Sequence, residues 1–124
     1  MARNDSWSVL GVAGSVAAYT HGDASLDALR TRLSSQRDLL ADLLASELPH
    51  ARMRPPEATY LAWIDLRSYG HDDPAALALE RQRVKVAAGH GYHPGLPGHV
   101  LLNIATSPER LTEIVRRLAA AVRA

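Results

Sequence analysis

One lysine, three histidines and four glycines crowd into Val84–Ala105, the stretch VKVAAGHGYHPGLPGHVLLNIA. Lys85 is the only lysine in the chain. A desolvated lysine amine can form Schiff bases, which makes Lys85 the one weak catalytic candidate. Alternation sets it opposite Val84 and Val86, where the ordinary reading is an exposed charge guarding a strand edge. His90, His93 and His99 are weak metal candidates, because neutral imidazole is a common ligand. No Asp, Glu or Cys lies among them to complete a site, and their spacing fits no zinc pattern. We therefore read them as loop histidines and expect no metal. Gly89-x-Gly91 is followed by Pro94 and leads toward a strand, whereas a phosphate-cradling loop opens a helix. A nucleotide loop is rejected on that ground. No Gly-x-Ser-x-Gly elbow is present for Ser-His-Asp catalysis. Of the carboxylates, Asp73 has a helix to cap, and Asp65 is expected at a strand end or on a wet face, since strands deplete aspartate.

The elements that must position these groups belong to one domain. At 124 residues the chain can bury a single core. Apolar residues make up 47% and charged residues 22%, which excludes a disordered composition. A net charge of +1 gives no general drive toward nucleic acid or an anionic membrane. The absence of cysteine removes disulfides and thiolate chemistry. No apolar run reaches the ~18 residues of a membrane span, and no secretory leader is recognisable, so a cytoplasmic location is expected. There is no phenylalanine, so Leu, Val, Ile and Ala must fill the core.

Taken in order, Asp5 or Ser6 is expected to cap a first helix running to about Tyr19, with Trp7, Leu10, Val12 and Val16 as apolar residues. Gly11 and Gly14 weaken it by ~1 kcal/mol each, and its small residues allow another element to approach closely. Thr20–Asp23 should break the helix. Asp23 then caps a long helix, Ala24–Leu48, whose Leu26, Leu29, Leu33, Leu40, Leu43, Leu44 and Leu48 form one stripe. Its arginines are diluted by acids, and we read a solvated face. Ala51–Arg54 is expected as an edge strand and Ala58–Leu66 as a central one. Asp73 caps a short helix opened by Pro74 and running to about Arg83. Strands follow at Val84–Ala87 and Val100–Ala105. Thr106 and Glu109 form a capping box for a last helix burying Leu111, Ile114, Val115, Leu118 and Val122. The expected fold is α+β, a two-layer sandwich with a small, mostly antiparallel sheet covered by helices. Residues 1–22 are read as a leading helix and break, and residues 23–124 as the domain proper.

Several runs together resemble a known family. Pro55–Asp65 (PPEATYLAWID), Arg83-Val84, Gly89 and Gly98–Ala105 (GHVLLNIA) are similar to the C-terminal part of class-I/II pyridoxal-phosphate (PLP)-dependent aminotransferases. Ala18–Gly22 (AYTHG) resembles the cystathionine β-lyase, or C–S lyase, branch. The resemblance implies the aminotransferase small-domain fold. It also implies that the cofactor lysine, the aspartate facing the pyridine nitrogen and most phosphate contacts belong to a preceding large domain.

The departures bear on function. In the family motif Val-Arg-Leu-Asn the arginine holds the substrate carboxylate, and here that position is Leu101, with Asn103 two residues on. Lys85 stands where the family strand is usually apolar, not at the Schiff-base position. Ser25 stands where this branch often has tryptophan. The expectation is an isolated small domain, not catalytic alone, with no cofactor bound by this chain by itself and PLP in the parent family. The expected partner is a PLP-binding large domain supplied in trans or a second copy of the chain, with no nucleic acid or membrane. The alternative is an engineered or repurposed scaffold, using Lys85 as an amine catalyst or acting as a homo-oligomeric binding module.

Overall fold

The structure, a computed structural model, describes residues 8–123. Trp7 and the expected caps Asp5 and Ser6 lie outside the described residues. The chain divides into two compact units between Arg32 and Leu33.

In the unit before that division, α1 spans Val9–His21. Ser8 is its cap: the Ser8 hydroxyl accepts a hydrogen bond from the Gly11 amide at 3.3 Å. The cap thus lies later than Asp5 or Ser6. The expected break at Thr20–Asp23 is barely a break. Gly22 keeps right-handed helical angles, its amide donates to Ala18 O, and Leu26 N donates to Gly22 O. Asp23 is consequently the first residue of α2 (Asp23–Glu47) and not its cap. A Cβ at Gly22 would stand 2.3 Å from Ala18 O, so only glycine lets the chain pass here without a shift. No residue of α1 is buried. Leu26 and Leu29 at the start of α2 are also exposed, so the expected leucine stripe is buried only in its later part.

The second unit contains the core. Leu40, Leu44 and Leu48 close the buried stripe of α2. β1 (Leu61–Asp65), β2 (Ala87–Ala88) and β3 (His99–Asn103) form an antiparallel sheet in the order β1-β3-β2. The strand expected to be central is therefore β1 at one side, and β3 takes the centre. Register pairs Ala62 with Leu102 and Ile64 with Val100, and all four are buried. Against them pack Leu111, Val115, Leu118 and Val122 of α4 (Pro108–Arg123), with Ala75 and Ala78 of α3 (Pro74–Gln82). Period-two alternation in the strands and an i, i+4, i+7 stripe in α4 meet in one layer contact. Full burial of a side chain such as Ile64 is worth about 2–3 kcal/mol. The two-layer α+β architecture follows from this single covered face.

Element bounds differ from the sequence reading in ways the backbone explains. Ala51–Arg54 contributes only one bridge, Arg52 to Asp65. β1 starts at Leu61 because Thr59 takes a left-handed φ of 67°, which no strand accommodates. Val84–Val86 lies outside the sheet, and β2 is only two residues long. β3 begins at His99 and ends at Asn103, whose side chain accepts from Ala105 N at 2.8 Å. Ser107, rather than Thr106, caps α4, accepting from Arg110 N at 3.3 Å. The Thr106 carbonyl instead accepts from the buried Gln36 amide at 2.7 Å, tying α2 to the turn before α4. The far end of α4 is closed by side chains from other elements. Arg81 Nη1 donates to Ala121 O at 2.8 Å, and His71 Nε2 donates to Val122 O at 3.0 Å. Arg123 reaches both the backbone and the carboxylate of Glu47.

Candidate functional site

The uncovered face of the sheet carries the side chains most open to ligands. Leu61 and Trp63 of β1 face Asn103 and Leu101 of β3 in register, and Ala87 faces Leu101 from the other side. Tyr92, from the short 3-10 turn after β2, sets its ring edge against Trp63 with centroids 5.4 Å apart. Lys85, Tyr92, Leu101 and Asn103 line one shallow groove of about 420 Å³. The sheet thus gathers the lysine, the leucine and the asparagine singled out in the sequence. Lys85 is exposed, and the groove around it is mostly aliphatic and aromatic.

The histidines do not join them. His90 Nε2 lies 3.1 Å from Asp73 Oδ2, a contact that ties the loop to the start of α3. The other Asp73 oxygen accepts from Ala76 N at 3.0 Å, and that backbone donor, followed by His90, holds the carboxyl below its usual range. His93 Nδ1 accepts from Gly95 N at 2.9 Å, folding the loop onto itself. His99 Nδ1 donates to Pro97 O at 2.9 Å. Their rings point to three separate partners, and among the described residues no three His, Asp or Glu side chains converge as a metal would need.

A second cluster forms at the end of β1. Asp65 accepts from Arg67 Nε at 3.0 Å and from Nη2 at 2.8 Å, a bidentate pair, and also from the Arg67 backbone amide at 3.0 Å. His99 Nε2 stands 3.9 Å from the same carboxylate. The Arg67 side chain is the main reason that the Asp65 carboxyl is lowered to about 2, against a smaller opposing effect of burial. The sequence reading placed Asp65 at a strand end and missed its partner. The i, i+2 spacing of Asp65 and Arg67 was the available signal. Two glycines make the arrangement possible. Gly98 has φ 69°, and a Cβ there would stand 2.6 Å from Arg67 Cγ. Gly89 is buried where a Cβ would meet Leu96 O at 2.6 Å, so the loop closes over a bare backbone.

This fold and face have recognisable relatives. The family model for aminotransferase class I and II matches residues 4–118, and the chain belongs to that family. Cystathionine beta-lyase PatB of Bacillus subtilis is 34% identical over 108 residues, covering 86% of this chain and 28% of PatB. Protein MalY of Escherichia coli is 35% identical over 119 residues, covering 94% of this chain and 30% of MalY. The crystal structure of the PLP-bound C–S lyase from Staphylococcus hominis superposes with a TM-score of 0.85 at 33% identity, covering 92% of this chain and 31% of that one. The chain spans about a third of the length of the curated relatives that it matches.

PLP supplies its enzymes with an electron sink. The described residues do not make a cradle for it. Such a site joins a lysine amine, a carboxylate for the ring nitrogen and donors for the phosphate. Here the lysine lies on an open groove, the Asp65 carboxylate is held by Arg67, and Asp73 is held by its cap and His90. No helix among the described residues is long and apolar enough to cross a membrane.

Proposed function

We propose that this chain is the small-domain portion of a PLP-dependent enzyme of the C–S lyase type, and that it does not catalyse alone. The observation carrying this is the open sheet face, where the family's substrate-facing strand ends in Val100-Leu101-Leu102-Asn103 beside the exposed Lys85, with leucine at the position of the carboxylate-holding arginine. The groove can shape the apolar wall of a substrate site. It has no group positioned to activate a cofactor. Leu101 removes the bidentate donor that the resemblance assigns to that position, and leucine is comfortable there because the neighbours are Trp63 and Ala87. Partial coverage of the lyases supports the same reading, since most of a relative's length has no counterpart here.

The test is a spectrophotometric titration of the purified chain with PLP. The expected outcome is a cofactor spectrum unchanged apart from weak, unsaturable amine adducts. A saturable one-to-one spectral shift, abolished by Lys85→Arg, would overturn the proposal.

A further inference from the structure

We infer that the groove on the open sheet face binds a small carboxylate, with Lys85 holding the acid group and the apolar side chains holding the rest of the molecule. The inference rests on the reading of this face as a substrate wall, and it names the class of ligand for that wall. Lys85 is the only charged side chain lining the groove. It is exposed and makes no ion pair among the described residues. It also borders a neighbouring hollow that holds Glu109 and Glu113, where Glu113 is already engaged by Arg117 Nε at 2.7 Å.

The second polar group of the groove is a donor as well. Asn103 Oδ1 accepts from Ala105 N at 2.8 Å, which fixes the amide and leaves its Nδ2 as the free end. An ammonium has donors and no acceptor, so Lys85 and Asn103 together ask for a ligand that accepts. A carboxylate meets that demand and carries the complementary charge. The remaining lining, with Leu61, Ala87 and Leu101 in it, has no polar side-chain atom and suits an apolar body.

Size and backbone indicate a small molecule. The groove holds about 420 Å³, within the range of small-ligand pockets. An extended peptide would need free main-chain partners, and on this face Leu101 is already paired with Trp63 on one side and Ala87 on the other. Because the groove is shallow and Lys85 exposed, affinity is modest, with a dissociation constant on the order of a millimolar.

Nuclear magnetic resonance titration of the isotopically labelled full chain with phenylbutyrate tests it. The amides of Ala87, Leu101 and Asn103 should shift together and saturate. The uncharged phenylbutyramide should bind about fivefold more weakly, the effect of one exposed charge contact. Acetate, which has no apolar body, should give no saturable shift. Lys85→Gln should weaken the acid by the same factor of about five and leave the amide unchanged, whereas Lys85→Arg should stay within about twofold of wild type for the acid. The spectrum of each variant shows directly that it is folded. Phenylbutyrate has no aldehyde to react with an amine, so this titration and the one with PLP can fail separately. No saturable shift with phenylbutyrate, equal affinity for acid and amide, a Lys85→Gln variant that binds the acid like wild type, or shifts that lie away from the groove would each overturn the inference.

Discussion

The two faces of the three-stranded sheet are built from the same strands and obey opposite rules. On one face Ala62, Ile64, Val100 and Leu102 lie under α4, α3 and the end of α2, sealed from water. On the other, Leu61, Trp63, Leu101 and Asn103 alternate with them and remain partly open. Leucine occurs on both faces, although only the open one also carries Asp65, His99 and Asn103. What separates them is whether an amphipathic helix lies above. A covered face sets stability, and an uncovered face that keeps large apolar side chains is available for recognition.

The largest expected effect lies on the covered face. Ile64→Ala should destabilise the chain by about 3 kcal/mol in urea titration, through lost burial and an unfilled cavity. Leu101→Ala, one strand away on the open face, should cost about 1–2 kcal/mol, because its side chain is only partly buried. Equal losses for the two variants would erase the distinction between the faces.

Asp65 sharpens the contrast at the edge of the open face. Its folded pKa of about 2 lies below the ordinary aspartate value of 3.8, so its contribution is present above pH 4 and is lost as pH falls toward 2. With Arg67 well exposed, the gain is on the order of 1 kcal/mol. Acid unfolding of Asp65→Asn should show a shallower loss of stability between pH 4 and 2 than wild type. A similar slope in both would assign the acid sensitivity to other carboxylates. Asp73→Ala should cost about 1 kcal/mol in a thermal melt, through loss of the α3 cap. The smallest effect belongs to the aromatic pair. Tyr92→Leu should cost only ~0.5 kcal/mol beyond area but should shift the fluorescence of Trp63, whose edge-to-face neighbour is removed.

Much of the covered face was readable from periodicity. Leu111, Val115, Leu118 and Val122 recur at helical spacing, Pro74 after Asp73 marks a helix start, and both features stand in the structure. The open face was legible only in part. Lys85 and Leu101 were singled out by departure from a family pattern and Asn103 by its place beside Leu101, and the structure brings all three to one groove. The pairing of Tyr92 with Trp63 was not legible because Tyr92 lies in a loop, where no periodicity points to a partner. Caps were misplaced by one to three residues at Ser8 and Ser107. In runs holding several polar residues, the hydroxyl that reaches the amide is chosen by backbone angles and not by residue type.

Residue order alone was enough for the α+β class, the amphipathic last helix and the family membership, because these rest on local periodicity and on side-chain identities in fixed runs. Strand order was a different matter. Val84–Val86 and Ala51–Arg54 have strand-like composition, but pairing needs a partner at hydrogen-bonding distance along the whole segment, and β3 offers that only to β1 and to Ala87–Ala88. Which leucines count as core was also decided in three dimensions. Leu26 and Leu44 share one helical stripe, and only Leu44 has a layer packed against it. Hydrophobicity states what a side chain would gain from burial, and tertiary packing decides which side chains receive it.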